Sequence, residues 1–397
     1  MHRTTVALAI ALTAFLAAAC DTAPAGHDAA VDAQSSGDAA RPDAPGADAF
    51  TGIDAGPNDA GSSVDAASTS DAGGLPSGWL YTQSNHVYVS DGAGGGSIWM
   101  GRGVNMDDIF LCGYNFTLWD TNAQTELESV VSGLMSAWHP NFVRVSLGMA
   151  SYPTETSWTD TPAQYRDPMT QVIDAIGAHP GVYVLVALRS HASMILQDTI
   201  HGDAEATGIP SDATTTPDAT RFPTGTDATY VALVDTFAHS PFVMFGITNE
   251  AGGNQRSDAV IRAAMAHAVG VIRAEEDRLG VPHHIVSVQG NDWTSSIGFY
   301  ATTPLAFDNV VYEVHGYPPT TASYTYSNIP VIIGEYGTLG DAAAFFADVE
   351  AKQIPNLAWD FEPFSDCTPD LLNVTHSATT LTPTAWGNTV RAYLTSH

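Results

Sequence analysis

Two glutamates stand at the ends of apolar runs in the sequence, and as a pair they could cleave a glycosidic bond. Glu250 comes two residues after the apolar run 242–248, and Glu335 directly follows the run 331–334. Glycoside cleavage needs one protonated carboxyl group to assist the leaving oxygen and one ionised carboxylate to attack the anomeric carbon. A single glutamate at such a place commonly caps a helix or forms a salt bridge. Two in the same context predict a general acid/base and a nucleophile.

Other polar side chains occupy the ends of similar runs. His315 and Tyr317 alternate along one run, so both could hydrogen-bond a carboxylate on the same side. Arg144 interrupts an apolar run, and a buried cation needs an ionised partner, which a glutamate at the same edge would supply. Asn105 and Trp359 end two further runs, and the indole would offer a flat apolar face to a sugar ring. A histidine bonded only to backbone and a tryptophan of the core are the alternatives.

The elements that must position these side chains follow a regular order. From Trp79 onward, short β-branched runs alternate with helical segments, and most runs are continuously apolar, as in parallel strands covered on both faces. The predicted strands are 100–105, 142–147, 182–188, 242–248, 284–289, 310–315, 331–334 and 356–359. The predicted helices are 126–138, 168–178, 228–238, 259–279, 342–352 and 384–395. Ser257 and Gly280 predict the start and the end of the fourth helix.

This order predicts an α/β fold, a (β/α)8 TIM barrel. Eight strands with intervening helices over about 320 residues fit a barrel with insertions. A doubly wound open sheet is the alternative, but no Gly-x-Gly-x-x-Gly sequence follows an early strand. In a barrel the catalytic groups gather at the carboxyl ends of the strands, which is where the polar residues fall.

In their order along the chain these residues resemble glycoside hydrolase family 5, the cellulase family. The resemblance covers nearly all of residues 79–397. The motifs that carry it are Asn249-Glu250, Gly334-Glu335-Tyr336-Gly337, His315-x-Tyr317, Arg144 and Trp359. It implies a retaining mechanism without a metal or an organic cofactor, in which Glu250 is the general acid/base and Glu335 the nucleophile.

The resemblance also implies roles around the two glutamates. Asn249 would hold the sugar 2-hydroxyl group, while Arg144 and Tyr317 would position Glu335. The remaining expected substrate-binding residues are Asn105, His191, His315 and Trp359. The family commonly has a histidine near the end of the third strand; here Arg189 stands at that place, and His191 follows two residues later as the candidate substitute.

The expected substrate is a β-linked polysaccharide or oligosaccharide, cleaved by an endo-β-1,4-glucanase. A β-mannanase or another β-glycanase of the family is the alternative, and a transglycosylase would use the same catalytic residues. A non-catalytic glycan-binding surface lipoprotein is the alternative from another class. Candidate stacking platforms for the sugar rings are Trp119, Trp158, Trp293, Tyr300 and Tyr324.

The charge of the chain excludes one class of partner. It has 13 Lys+Arg against 43 Asp+Glu and a formal net charge of −30, and Lys352 is its single lysine. Nucleic-acid binding needs clustered basic residues, so nucleic acid is excluded as a partner. We expect a monomer.

The N-terminus predicts export. A basic start is followed by the apolar stretch 6–19, which ends at Cys20 and is too short to span a membrane. The ending resembles a bacterial lipobox, although Leu16 stands four residues before the cysteine and not three. We therefore expect a signal peptide at 1–20, a disordered acidic linker at 21–75 and the catalytic domain at 76–397. The protein would be a cell-surface or outer-membrane lipoprotein held only by a lipid anchor on Cys20, or else secreted.

Two cysteines follow the first and the last predicted strand. Because those strands are neighbours in a closed barrel, Cys112 and Cys367 would lie in adjoining loops. Export permits oxidation, so the sequence predicts a disulfide between them, with two free thiols as the alternative.

Overall fold

The structure is a computed structural model that describes residues 74–106, 123–148, 166–189, 224–250, 257–319, 324–361, 371–373 and 381–397. The predicted signal peptide and nearly all of the predicted linker lie outside these ranges. So do Cys20, Cys112, Trp119, Trp158, His191 and Cys367. The expectations of a lipid anchor, a disulfide and a His191 contact therefore stay predictions.

Eight parallel strands close into a barrel, which confirms the predicted fold and rules out the open sheet. Each predicted strand coincides with one barrel strand. The barrel strands are β4 (Arg102–Met106), β5 (Phe142–Gly148), β6 (Tyr183–Arg189), β7 (Val243–Gly246), β8 (Val286–Gln289), β9 (Val310–Gly316), β10 (Val331–Tyr336) and β11 (Asn356–Ala358). The barrel closes where β11 pairs with β4.

Helices lie between the strands at the predicted places. They are α1 (Ala123–Ala137), α2 (Arg166–Gly177), α3 (Thr224–Phe237), α4 (Asp258–Leu279), α5 (Gly298–Thr302), α6 (Ala342–Lys352) and α7 (Ala385–Thr395). The Ser257 hydroxyl caps α4 by accepting from the Val260 amide at 3.2 Å, and Gly280 ends it at φ 65°. The helix α5, between β8 and β9, was not predicted. None of the helices in the described ranges combines the length and apolarity that a membrane crossing requires.

A small antiparallel sheet that the sequence did not predict precedes the barrel. Its strands are β1 (Leu80–Gln83), β2 (His86–Ser90) and β3 (Gly96–Ile98). Trp99 packs edge-on against Phe142 and Tyr183, which begin β5 and β6, with ring centroids 4.9 and 5.3 Å apart. The sheet thus covers the amino-terminal end of the barrel with apolar side chains and leaves the polar chemistry to the carboxyl end.

Side chains inside the barrel alternate with side chains that face the helices. On β5, Val143 and Val145 join the outer core, whereas Arg144 points inward. On β10 the pairing register shifts between Ile333 and Glu335, so the simple alternation breaks there. Glu335 consequently points inward, where simple alternation from Ile332 would have turned it out.

A substitution of Gly103 on β4 tests how closely the backbones of β4 and β5 approach each other in the closed barrel. A Cβ atom at this position would lie 1.5 Å from the carbonyl oxygen of Phe142, a backbone atom that cannot rotate away. We expect Gly103→Ala to lower the free energy of unfolding by about 3 kcal/mol or more, the upper range for overpacked interiors. Gly340→Ala is the control because nothing lies within 4 Å of its added Cβ. Equal urea midpoints for the two variants would contradict this account of the barrel.

Candidate active site

Polar side chains from six parts of the chain converge at the carboxyl end of the barrel. Asn105 comes from β4, Arg144 from β5, Asn249 and Glu250 from the segment after β7, and Glu335 from β10. The strand β9 contributes Glu313 and His315, Tyr317 follows that strand, and β8 contributes Ser287 and Gln289. Residues that are more than 200 positions apart in sequence thereby share one site, as the barrel predicts.

Arg144 is the centre of the site. Its side chain is about 1% exposed, and Nη1 donates to Oε1 of Glu335 at 2.7 Å and to Oδ1 of Asn105 at 3.0 Å. The Nη2 group donates to Oδ1 of Asn249 at 2.8 Å, and Nε lies 3.4 Å from Oε1 of Glu313. One guanidinium group therefore fixes side chains from four other segments of the barrel.

Both carboxylate oxygens of Glu335 have a proton donor. Arg144 donates to Oε1, and the hydroxyl group of Tyr317 donates to Oε2 at 2.9 Å. Burial of that hydroxyl group, together with the charges of Glu335 and Glu250, raises the pKa of Tyr317 well above its usual value. The phenol remains protonated and keeps its hydrogen bond, although half of the tyrosine side chain is exposed.

His315 lies between the carboxylates. Its Nδ1 atom is 2.8 Å from Oε1 of Glu250, and its Nε2 atom is 2.9 Å from Oε1 of Glu313. Burial alone would lower the pKa of His315, but the charge of Glu335 and the contacts with Glu250 and Glu313 outweigh it and raise the pKa to about 9. The imidazole ring is therefore positively charged at neutral pH.

Glu313 is a site residue that reasoning from the sequence missed. It is buried, and burial would raise its pKa, but Arg144, His315 and Ser287 together lower that pKa to about 2. The hydroxyl group of Ser287 donates to its Oε2 atom at 2.6 Å. Strand alternation was the available signal, because a charged residue two positions before His315 must share its face.

Gln289 was missed as well. Its side-chain oxygen accepts from the backbone amide of Glu250 and from the hydroxyl group of Thr294 at 3.2 Å. Glu250 itself adopts φ 52°, a conformation that is uncommon for residues other than glycine. The amide of Gln289 thus fixes a turn that directs Glu250 toward the barrel axis.

The two glutamates found by sequence lie close together but in different surroundings. One carboxylate oxygen of Glu250, one of Glu335 and a ring nitrogen of His315 all lie within 4.8 Å of one another. The side chain of Glu250 is 24% exposed and that of Glu335 only 7%. Among the described residues, this is the one group of three or more acids, histidines or cysteines with such spacing. Two cationic groups, the guanidinium of Arg144 and the imidazolium of His315, already contact these carboxylates, so the arrangement favours carboxylate chemistry over a metal site.

The aromatic side chains separate into core and surface. Tyr300 and Tyr324 are buried in the main hydrophobic core, so their prediction as sugar-stacking platforms was wrong. Trp359 follows β11 and is largely buried at 9% exposure. Trp293 is 40% exposed on the loop after β8, and the carbonyl group of its neighbour Thr294 accepts from the His315 amide at 3.2 Å. Trp293 therefore borders the site, whereas Tyr300 and Tyr324 do not.

Two nearby carboxylates at the carboxyl end of a closed barrel are the groups that glycoside hydrolysis uses. The sequence model of the family described as Cellulase (glycosyl hydrolase family 5) matches residues 102–365, which is more than half of the chain. The chain belongs to glycosyl hydrolase family 5. A search of curated proteins found no significant match.

Solved structures share this fold. Cellulase Cel5C_n superposes with a TM-score of 0.60 at 16% identity, over 82% of this chain and 94% of that chain. The catalytic domain of Thermobifida fusca endoglucanase Cel5A, in complex with cellotetraose, gives 0.58 at 16% identity, over 80% and 97%. A β-glucanase from Saccharophagus degradans, also with cellotetraose, gives 0.57 at 15% identity, over 84% and 98%.

The charge on His315 has a consequence for stability. Its pKa is about 9 in the folded protein against 6.5 for an unperturbed histidine, so its stabilising contribution is complete below pH 6.5 and is lost as the pH rises through 9. The full difference corresponds to about 3 kcal/mol. We expect the free energy of unfolding from urea titrations to fall between pH 6.5 and 9, and His315→Gln to flatten that fall. An identical pH dependence in both proteins would contradict a charged His315.

Proposed function

We propose that the protein is a retaining endo-β-1,4-glucanase in which Glu250 is the general acid/base and Glu335 the nucleophile. The observation that carries the proposal is the spacing of the two glutamates, whose nearest oxygens lie within 4.8 Å. Retaining enzymes hold their carboxyl groups about 5–5.5 Å apart, whereas inverting enzymes need roughly 6.5–9.5 Å to admit a water molecule. The close spacing favours direct attack on the sugar by one carboxylate.

The first step forms a covalent glycosyl-enzyme. Glu335 attacks the anomeric carbon with its negative charge, and Arg144 and Tyr317 hold both of its oxygens so that the carboxylate needs no reorientation. Glu250 gives its proton to the glycosidic oxygen as the bond to the anomeric carbon breaks. The greater exposure of Glu250 agrees with a position that faces the incoming chain.

The second step releases the sugar. Glu250, now a carboxylate, takes a proton from water, and the resulting hydroxide attacks the anomeric carbon and frees Glu335. Two inversions at this carbon leave the product with its original β-configuration. Asn249 serves both steps: since its Oδ1 atom accepts from Arg144, its amide nitrogen is left to donate to the sugar 2-hydroxyl group.

Three observations support a β-1,4-glucan as the substrate. The Thermobifida fusca and Saccharophagus degradans enzymes of the same fold are each described in complex with cellotetraose. Exposed Trp293 beside the site offers a ring for stacking on sugars. The net charge of −30 favours a neutral polymer over an anionic one. A β-mannanase or another β-glycanase is the second candidate because the catalytic groups would be the same.

Export completes the proposal. Residues 1–20 would direct secretion, Cys20 would carry a lipid, and the acidic segment 21–75 would separate the barrel from an anionic membrane. Cys20-dependent incorporation of a fatty-acid probe supports this localisation, and its absence would leave a secreted enzyme.

The test is release of reducing sugar from neutral polymers: hydroxyethylcellulose, mixed-linkage β-glucan, mannan, xyloglucan and xylan. We expect the wild-type protein to act on the two glucans, and Glu335→Gln and Glu250→Gln to be slower by at least about a thousandfold. Glu128→Gln is the control, since Glu128 is exposed on α1 outside the barrel. Full activity of Glu335→Gln would overturn the mechanism, and release from mannan alone would favour the second candidate.

A further inference from the structure

Below the two glutamates of the proposed reaction lies a third carboxylate that the reaction does not use. The side chain of Glu313 is 1% exposed and lies deeper in the barrel than Glu250 or Glu335. Leaving a carboxylate in such a place is costly unless it is fully partnered. We therefore expect Glu313 to have a role in the site that offsets the free-energy cost of burying its charge.

Both carboxylate oxygens of Glu313 have polar partners. The Oε1 atom lies 2.9 Å from Nε2 of His315 and 3.4 Å from Nε of Arg144, while Oε2 accepts from the Ser287 hydroxyl group at 2.6 Å. The chain also leaves room for it: a Cβ atom at position 334 would lie 2.1 Å from Oε1 of Glu313. The missing side chain of Gly334, the residue before Glu335, thus leaves the space that the Glu313 carboxylate occupies.

These contacts decide which atoms of His315 carry protons. A carboxylate that is paired with Arg144 and Ser287 accepts hydrogen bonds, so Nε2 of His315 must donate to it. The other ring nitrogen, Nδ1, faces Oε1 of Glu250 at 2.8 Å. Because Nε2–H donates to Glu313, and Oε1 of Glu250 can accept from Nδ1–H whether Glu250 is ionised or protonated on its other oxygen, the ring is held as an imidazolium between the two residues.

We propose that Glu313 is a positioning residue for the acid/base step: it holds His315 as an imidazolium whose Nδ1–H group donates to Glu250. The inference rests on the proposed role of Glu250. When Glu250 gives its proton to the leaving oxygen, the carboxylate that forms already has a charged donor in place, and such hydrogen bonds are stronger than neutral ones. The transferred proton comes from Glu250, and His315 keeps both of its own.

The groups that face His315 agree with this state. Glu335 lies 3.5 Å from Nδ1, and its charge together with Glu250 and Glu313 raises the pKa of His315. The side-chain nitrogen of Gln289 lies farther from Nε2, at 3.4 Å, than Oε1 of Glu313 does at 2.9 Å; because this amide nitrogen can only donate, the Nε2–H group donates to Glu313 and not to Gln289. Arg144 and Tyr317 contact the ring's carboxylate partners: Arg144 contacts Glu313 and Glu335, and the protonated phenol of Tyr317 contacts Glu335.

The leaving group of the substrate separates this role from a merely structural one. A dinitrophenyl group departs as a phenolate without a proton, whereas an unactivated sugar needs the proton of Glu250. We expect Glu313→Gln to lower kcat/KM for cello-oligosaccharides by about tenfold to a hundredfold, part of the contribution of general acid catalysis. For dinitrophenyl β-cellobioside we expect a change of less than about threefold. Equal slowing of both substrates would overturn the proposal, because it would place the effect of Glu313 on Arg144 and the nucleophile.

Glu276 offers a matched control at the other end of the barrel. It is also buried, contacts Nδ1 of His284 at 2.8 Å and pairs with Arg273. Like Glu313→Gln, Glu276→Gln therefore removes a buried carboxylate that contacts a histidine and an arginine, but it does so away from the active site. We expect it to leave the ratio of the two kcat/KM values unchanged. A change of that ratio equal to the change in Glu313→Gln would also overturn the proposal.

A second measurement tests the charge of His315 without the Glu313→Gln variant, so it can be made even if that variant does not fold. Nitrogen-15 NMR of the wild-type protein, with His315→Gln used to assign the ring, reports the protonation of both nitrogens. We expect a doubly protonated ring at pH 7 that titrates near pH 9. A neutral His315 at pH 7 would contradict the proposal. If the wild-type protein cleaves neither substrate, the proposed function fails, and the NMR result alone then decides the state of His315.

Discussion

A cation that lies completely inside the barrel governs the arrangement of this site. The guanidinium group of Arg144 has lost its water and must be neutralised by groups that the surrounding strands supply. Glu335 and Glu313 provide the negative charge, and Asn105 and Asn249 accept its remaining hydrogen bonds. Because these partners come from separate strands, the site can form only when the barrel has closed.

Because the buried cations must stay neutralised, the net charge of the site is the same before and after the first step of the proposed reaction. Before cleavage Arg144 and His315 are positive, Glu313 and Glu335 are negative, and Glu250 carries its proton. In the glycosyl-enzyme Glu335 is an uncharged ester and Glu250 is the carboxylate. Two positive and two negative charges are present in both states, so the reaction moves one negative charge between two nearby residues. Moving a charge over a short distance within fixed dipoles requires little reorganisation of the site.

Much of the fold was readable from the sequence because parallel barrel strands are continuous apolar runs. The two catalytic candidates were readable because they end such runs. The inward direction of the Glu335 side chain could not be predicted, because it depends on a register shift in β10 that the local sequence pattern does not encode. Glu313 was overlooked, although strand alternation places it on the same face as His315, because the Arg144 guanidinium that neutralises it comes from a different strand. Tyr300 and Tyr324 look like surface aromatics in sequence, but both are buried in the main hydrophobic core.

The central claim is that Glu335 forms a covalent bond to the sugar while Glu250 handles the proton. The most direct test is to treat the protein with dinitrophenyl 2-deoxy-2-fluoro-β-cellobioside, which slows release of the sugar, and to map the labelled peptide by mass spectrometry. The account predicts one fluorinated cellobiosyl group on Glu335, and its loss in Glu335→Gln. A label on a different carboxylate, or steady hydrolysis of the reagent with an inverted product and no adduct, would contradict it.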